Sequence, residues 1–351
     1  MKSESRLWAI FLALLAAVFY AINTPFSKLL LEHVSPTFMA AFLYIGAGLG
    51  VGFMYLFNYK YEEKSDRLSS DDFIYAVGMV VLDIAAPIFL MLGISLGTAS
   101  NASLLGNFEI VSTTLIALIL FEEKVSKRLW TAIWFITFSS ILLSFEGSGS
   151  FKFSVGSFFV ILATCCWGLE NNCTRKISEK STYQIVLLKG IFSGSGSLVI
   201  AMIIGEEVPA AKYIAFILLL GFISYGLSIF LYIRAQRELG AAKTSAYYAV
   251  APFVGTFLSF LINGEKLNNM YYAGLLFMII GTAFVVYDTL IKQHLHSHTH
   301  TIVHTHDGVT HKHIITHLHE HSHFINEETH NHNHADFLFS DEHIAAHKYK
   351  V

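Results

Sequence analysis

Histidine is concentrated near the C-terminal end of this chain, and its spacing there predicts metal ligation. Of the 18 histidines among 351 residues, 17 lie between His294 and His347. The imidazole of histidine is the commonest protein ligand for transition metals, and its neutral form is available near neutral pH. Twelve of them alternate regularly and are the predicted ligands: His294, His296, His298, His300, His304, His306, His311, His313, His317, His319, His321 and His323.

The alternation changes parity at Asp307-Gly308. Residues with a period of two share one face of a β-strand, and Asp-Gly is a strong signal for a two-residue hairpin turn. A hairpin closed at that turn places His304 opposite His311 and forms a ladder of histidines. Ligands of this kind, without a thiolate, favour zinc, nickel, cobalt or copper(II) over calcium or magnesium. A low-complexity tract that binds metal loosely is the alternative.

Charges inside apolar segments form the second group of residues that could do chemistry. They are Asp83, Glu109, Glu170 and Lys189. A charge at the centre of a membrane helix costs about 2.5–3.5 kcal/mol on insertion scales, so it is usually paired or functional. Three acids against one base leave at least two carboxylates without a cationic partner, which favours proton coupling. The alternative is that Lys189 pairs with one acid and only fastens helices together.

Amide and aromatic side chains complete the predicted substrate and coupling site. Aromatic walls with a few polar groups suit a moderately apolar small molecule. Most of the 30 Phe and 16 Tyr are expected to face lipid or the membrane interface. The exceptions predicted to line the site, with two asparagines, are Asn23, Asn171, Trp167, Tyr20, Tyr225, Tyr247 and Tyr248.

Long apolar segments must position these residues. The chain is 54% hydrophobic and 14% charged, whereas a soluble domain has about 45–50% apolar and about 25% charged residues. This excludes a soluble enzyme, a secreted disulfide scaffold and a nucleic-acid-binding protein. A membrane-spanning helix needs about 20 mostly apolar residues. Ten runs meet this requirement: 7–25, 35–57, 73–96, 100–121, 129–146, 153–173, 181–204, 212–233, 241–262 and 270–290.

The loop charges predict the orientation of these spans. With the N-terminus in the cytoplasm, 15 Lys and Arg residues before the tail fall on the cytoplasmic side. Four fall on the other side, namely Lys28, Lys152, Lys212 and Lys266. Because cytoplasmic loops carry an excess of positive charge, both termini are predicted to be cytoplasmic in a plasma-membrane protein.

The two halves of the apolar region resemble each other. LGTASNA at 96–102 leads through an apolar span to Glu123-Lys124, and LGAAKTSA at 239–246 leads through an equal span to Glu265-Lys266. FYAINTPFSK at 19–28 likewise aligns with WGLENNCTRK at 167–176. Five spans in each half require opposite orientations. An inverted repeat is typical of alternating-access transporters.

These patterns resemble the EamA-type transporters of the drug/metabolite transporter superfamily. The resemblance covers roughly residues 7–290 and is strongest at 239–266. Members export amino acids, metabolites or drugs, so the resemblance implies carriage of a small molecule. One departure is that FEI stands at 108–110 where the second half has APF at 251–253. The fourth span therefore lacks the proline that usually opens the helix.

We therefore expect an all-α membrane protein of ten helices with a cytoplasmic tail compatible with a β-hairpin. Its parts are two five-helix repeats, 1–148 and 149–292, and a metal-binding tail, 293–351. The predicted function is secondary export of a small organic solute, with proton coupling as a hypothesis and no enzymatic activity. The alternatives are export of a transition metal or its chelate, and a metal-responsive receptor. The expected partners are lipid, solute and metal ions but no nucleic acid. Transport itself is expected to require no cofactor. A homodimer is compatible with the sequence.

Overall fold

The computed structural model describes residues 3–61, 67–122, 125–146, 152–177, 180–239, 244, 247–265, 267–289, 291–306 and 309–324. The chain divides into two compact units, Met1–Thr289 and Leu290–Val351. The first is helical apart from one short strand pair, and the second contains two long strands. Each unit is described below by itself.

The first half of the helical unit contains seven helices within its described residues. They are α1 (Ser3–Ala21), α2 (Asn23–Leu30), α3 (Pro36–Asn58), α4 (Phe73–Leu96), α5 (Ala99–Leu105), α6 (Phe108–Phe121) and α7 (Lys127–Leu143). Short 3-10 turns at Tyr59–Tyr61 and Ser70–Asp72 lie between α3 and α4. The antiparallel strands β1 (Phe145–Glu146) and β2 (Lys152–Phe153) join the two halves.

The second half contains a comparable series of helices. They are α8 (Val155–Lys176), α9 (Thr182–Leu188), α10 (Gly194–Ile203), α11 (Ala211–Gly221), α12 (Ser228–Leu239), α13 (Ala251–Asn263) and α14 (Asn269–Thr289). Two π-helical segments interrupt this series, Lys189–Ser193 between α9 and α10 and Phe222–Leu227 between α11 and α12. A π-helical turn widens the backbone locally and is frequent at functional sites.

The helices suit a lipid environment. Small residues such as Ala13, Ala41 and Gly190 are buried between helices, whereas Leu56 and Ile203 are 74% and 77% exposed. Membrane helices pack through small residues because lipid supplies no hydrophobic force to bring them together. Seven helices among the described residues are long and apolar enough to cross a membrane. Each of the ten predicted ranges contains helix, while ten crossings and the inverted repeat remain predictions.

The fourth predicted span is broken without a proline. Helix α5 ends at Leu105, and α6 begins at Phe108 after Gly106-Asn107. The ninth is broken at Ala249-Val250, just before Pro252. Asn107 and Val250 have almost the same backbone angles, φ −62°, ψ −18° and φ −73°, ψ −19°. The absence of proline from the fourth span therefore did not prevent an opening there.

The tail unit contains the two strands β3 (Ile291–His306) and β4 (Val309–Phe324) in antiparallel pairing. This pairing is the one that a β-hairpin in the tail requires. The predicted turn, Asp307-Gly308, lies outside the described residues. Four histidine pairs are in register: His294 with His321, His296 with His319, His298 with His317, and His304 with His311.

Candidate functional site

A cavity of about 1270 Å³ lies within the helical unit. It exceeds the usual range of about 300–1,000 Å³ for small-molecule pockets. Ten of the eleven predicted substrate and coupling residues line it, although their helices are widely separated in sequence. They are Tyr20, Asn23, Asp83, Glu109, Trp167, Glu170, Asn171, Lys189, Tyr225 and Tyr248.

Lys189 contacts two acids in this cavity. Its ammonium nitrogen lies 2.8 Å from Oε1 of Glu170 and 3.3 Å from Oδ2 of Asp83. The Tyr44 hydroxyl donates a hydrogen bond of 3.1 Å to the other oxygen of Asp83, and the Thr174 hydroxyl donates one to Glu170. Lys189 is also the first residue of the π-helical segment that follows α9.

Glu109 is held differently from the other two acids. It is the second residue of α6, directly after the helix break. The Asn171 amide donates a hydrogen bond of 2.7 Å to Oε1 of Glu109 and one of 3.3 Å to the Thr113 hydroxyl. Among the described ion pairs, none includes Glu109. The expectation that at least two acids lack a cationic partner is therefore wrong, because Lys189 bridges two of them.

Tyrosines form an aromatic wall beside these charges. The ring centroid of Tyr225 lies 6.0 Å from that of Tyr20 and 5.3 Å from that of Tyr44. Tyr20 also lies 5.9 Å from Tyr248. The Asn23 amide donates to the Tyr225 hydroxyl over 3.3 Å. Each hydroxyl gives the wall a polar tip, so the cavity offers both ring faces and hydrogen-bonding groups.

Tyr247 does not line the cavity, unlike the neighbouring residue. It packs against a separate cluster that includes Ala9, Leu12 and Leu239. Tyr248 instead lines the cavity and lies 3.1 Å, hydroxyl to hydroxyl, from Ser228. Adjacent residues of a helix project about 100° apart, so a pair of tyrosines in succession seldom shares one face.

Sequence inspection missed several lining residues, among them Tyr44, Ser103, Asn107 and Thr113. The Asn107 side chain is only 4% exposed, and among the described residues its amide nitrogen has no hydrogen-bond partner. A buried donor of this kind normally needs a partner, so it is available to a bound molecule. The signal in the sequence was Gly106-Asn107 within an apolar run, a pair typical of a break in a helix.

The cavity reaches the surface at one end of the helices. Its lining extends to Asn58, Lys180, Arg234 and Thr289. Asn58 and Arg234 are exposed. Asn58 and Thr289 are the last residues of α3 and α14, Lys180 lies just before α9, and Arg234 lies within α12. The predicted loop orientation assigns this end to the cytoplasm.

At the opposite end of the helices, two charged side chains hydrogen-bond the backbone between α4 and α5. The Lys28 ammonium donates to the carbonyl oxygens of Ile94 and Gly97, each over 2.7 Å. The Glu265 carboxylate accepts hydrogen bonds from the N–H groups of Ala99 and Ser100, over 2.6 and 2.8 Å. Lysine at a helix C-terminus and glutamate at an N-terminus complement the helix dipoles. The loop between α4 and α5 is thus held from both sides.

The amino-acid sequence that forms this cavity also shows the family. The pattern of the EamA-like transporter family matches residues 7–145 and 154–287. This chain belongs to the EamA-like transporter family. It is therefore a multi-pass membrane transporter, and its partners include the lipid bilayer and a small-molecule substrate.

Relatives of this EamA-like protein are transporters without an assigned substrate. It is 25% identical over 301 residues to an uncharacterized transporter of Methanothermobacter thermautotrophicus, covering 80% of this chain and 87% of that protein. It is 22% identical over 231 residues to one of Clostridium kluyveri, covering 62% and 74%. A protein of known crystal structure has the same fold, with a TM-score of 0.59, 14% identity and coverage of 80% of this chain and 96% of the other.

Proposed function

We propose that this EamA-like protein is a secondary active exporter of a small organic solute that works by alternating access. One observation carries the proposal: a single cavity contains a lysine-bridged pair of acids, a third acid without such a bridge, and a wall of tyrosines. In this scheme the repeats 1–148 and 149–292 move against each other around the cavity. Substrate sites between repeats near the bilayer midplane are typical of such transporters.

The conformation is interpreted as open to the cytoplasm. Its cavity reaches exposed Arg234, while Lys28 and Glu265 hold the opposite loop. The cytoplasmic assignment rests on the excess of Lys and Arg in the loops at the open end. Export then requires the contacts of Lys28 and Glu265 to break as the other end closes.

The cavity chemistry favours a neutral or cationic solute over an anionic one. Deeper than the mouth, where Lys180 and Arg234 lie, Asp83, Glu109 and Glu170 outnumber Lys189 by three to one. Tyrosine faces attract cations and also accept apolar groups, and Asn107 offers a buried donor. A moderately apolar solute with one basic or hydrogen-bonding group matches these features.

Glu109 is the proposed site of proton coupling. Its carboxylate lies next to the helix break and within hydrogen-bonding distance of Asn171, and no described ion pair includes it. A carboxyl group can take up and release a proton, which a coupling group in the membrane must do. Binding of solute on one side of the membrane and of a proton on the other would give antiport.

Transport of the metal itself is the second candidate function, since the tail is rich in histidine. The described cavity lining contains no histidine or cysteine. The only histidine before residue 290, His33, stacks on Tyr213 at a centroid distance of 4.8 Å, away from this lining. These observations support a solute in the cavity and a separate role for the tail. The third candidate, a metal-responsive receptor, would show metal binding without any flux.

Growth assays distinguish the three candidates. The full chain and a variant lacking residues 293–351 are expressed in a strain deleted for the gene. Growth is then compared on zinc, nickel and cobalt and on amino acids and toxic organic analogues. Resistance to an organic compound that persists without the tail supports the proposal. Resistance to metals alone that vanishes with the tail would favour metal export, and no change on any compound would favour the receptor.

A further inference from the structure

The twelve regularly spaced histidines of the tail share one face of the β3–β4 sheet. In an antiparallel pair, opposed residues lie on the same face, and each strand returns to that face every second residue. The face that contains His294 on β3 contains His321 on β4. Every histidine of both strands falls on this face. The other face contains none and has pairs such as Thr299 with Thr316 and Thr305 with Thr310.

Eight of the twelve histidines form four rungs in which one histidine is opposite another. Three of these rungs follow one another along the sheet: His294–His321, His296–His319 and His298–His317. They form an array of six histidines, two across and three along. Opposed Cβ atoms in a sheet are about 4.5–5.5 Å apart, a separation from which two imidazoles can reach one metal ion.

The remaining four histidines have no histidine opposite them. His300 is opposite Ile315, His313 opposite Ile302, His306 opposite Val309, and His323 opposite Lys292. The rungs His300–Ile315 and Ile302–His313 separate His304–His311 from the array of six. Rungs with two histidines and rungs with one histidine thus occur on the same face of one hairpin. They differ in whether the residue opposite a histidine is a second histidine.

We propose that the three consecutive rungs, His294–His321, His296–His319 and His298–His317, form a binding site for divalent transition metal that clamps β3 to β4. A two-stranded hairpin alone is marginally stable in water. Metal held between the strands binds the paired form in preference to the unpaired form, and it stabilises the hairpin by that difference in affinity. The tail thus becomes ordered as metal is bound. This inference does not depend on what the helical unit transports.

The register supplies a matched pair of variants for the test. The first, H294T/H296T/H298T, removes one histidine from each of the three rungs. The second, H300T/H306T/H313T, removes the same number of histidines from rungs that have Ile or Val opposite. Threonine is favoured in strands, so both variants keep the tendency to form a hairpin.

Zinc binding to the full-length protein in detergent, purified without a polyhistidine tag, is measured by calorimetric titration. We expect the first variant to raise the zinc Kd at least about tenfold, because the second imidazole of each rung binds at a high effective concentration. We expect the second variant to change the zinc Kd less than about threefold. Equal losses in the two variants would mean loose binding that depends only on the number of histidines, and would overturn the proposal. Absence of tight zinc binding in the unaltered protein would do the same.

A second measurement tests the register without changing any histidine. Cysteines replace Thr299 and Thr316, which are opposed on the face without histidine. The matched control replaces Thr299 and Thr310, which are not opposed. Both are made with Cys165, Cys166 and Cys173 changed to alanine. With a fixed concentration of oxidised glutathione as the oxidant, we expect zinc to accelerate disulfide formation in the opposed pair only. Equal cross-linking of both pairs, or none in the opposed pair, would contradict the clamp.

Discussion

The ammonium nitrogen of Lys189 lies 2.8 Å from a carboxylate oxygen of Glu170 and is shared with Asp83 at 3.3 Å. Both acids are almost fully buried, with side chains 2% and 1% exposed. A single lysine therefore contacts two carboxylates that come from different helices, α8 and α4. This sharing leaves Glu109 as the acid of the cavity outside the described ion pairs.

Loss of Lys189 should destabilise the protein strongly. Lys189→Met leaves two buried carboxylates uncompensated, and breaking a buried ion pair costs about 3–5 kcal/mol. We expect a clear drop in the unfolding temperature measured in detergent micelles. As a control, Arg128→Met breaks the partly exposed pair with Asp288, and such pairs are worth about 0–1 kcal/mol.

The charge explanation of that drop has its own test. A triple variant, Asp83→Asn with Glu170→Gln and Lys189→Met, removes the acids together with the base. It should recover much of the lost stability, because uncharged groups of similar volume avoid the uncompensated charge. No recovery would mean that Lys189 stabilises the fold through packing instead of charge.

Replacement of Glu109 should uncouple transport from protons. In Glu109→Gln the amide oxygen can still accept the hydrogen bond from Asn171, so the fold is expected to persist, but the side chain can no longer take up a proton. In proteoliposomes, solute flux should lose its response to an imposed pH gradient. The exposed Glu207→Gln serves as the control. An unchanged response in Glu109→Gln would eliminate this carboxylate as the coupling group.

Two neighbouring tyrosines should give opposite phenotypes. Tyr248 lines the cavity, and its hydroxyl lies 3.1 Å from that of Ser228, so Tyr248→Ala should raise KM about tenfold, as expected for a lost contact of about 1–2 kcal/mol. Tyr247 packs in the other cluster. Tyr247→Ala should lower the unfolding temperature and leave KM nearly unchanged. The same increase in KM in both variants would contradict the assigned orientations.

Loss of the carboxylate charge at Glu265 should loosen the closed end. Hydrogen bonds to a charged group are roughly twice as strong as neutral ones, and Glu265 accepts two from the start of α5. Glu265→Gln should therefore increase the labelling of a cysteine at Ser103, a cavity residue, by an impermeant maleimide added outside cells. The native cysteines are first replaced. If the cysteine is labelled equally fast with Glu265 and with Gln at this position, Glu265 does not hold this end closed.

Gly190 should tolerate no side chain. A Cβ added there would lie 2.3 Å from the Cα of Gly48 on α3, and backbone cannot yield as a side chain can. Gly190→Ala should cost about 1–3 kcal/mol or more and shift the adjacent Lys189. In Gly52→Ala the added carbon meets only the end of the Leu187 side chain, at 2.9 Å, and should be tolerated. Equal unfolding temperatures for the two variants would contradict the close approach of Gly190 and Gly48.

Local patterns were sufficient to predict the elements and most of the cavity residues. Apolar runs mark helices because a membrane helix satisfies its backbone internally, and helix lies in every predicted range. Charged residues in such runs are costly in lipid, so Asp83, Glu109 and Lys189 are predicted to be paired or functional. The alternation of histidines about Asp307-Gly308 predicts the register found between His304 and His311, because hairpin pairing depends on local spacing.

The amino-acid sequence by itself determined where helices and strands form and which polar residues must avoid lipid. Only the tertiary structure decided which of these meet: that Lys189 serves both Asp83 and Glu170, that Tyr248 and not Tyr247 enters the cavity, and that Glu265 holds the start of α5. Residues far apart in sequence are brought together by helix packing, which depends on close approaches such as that of Gly190 to Gly48. No local pattern encodes such a pairing, because it is a property of two surfaces in contact.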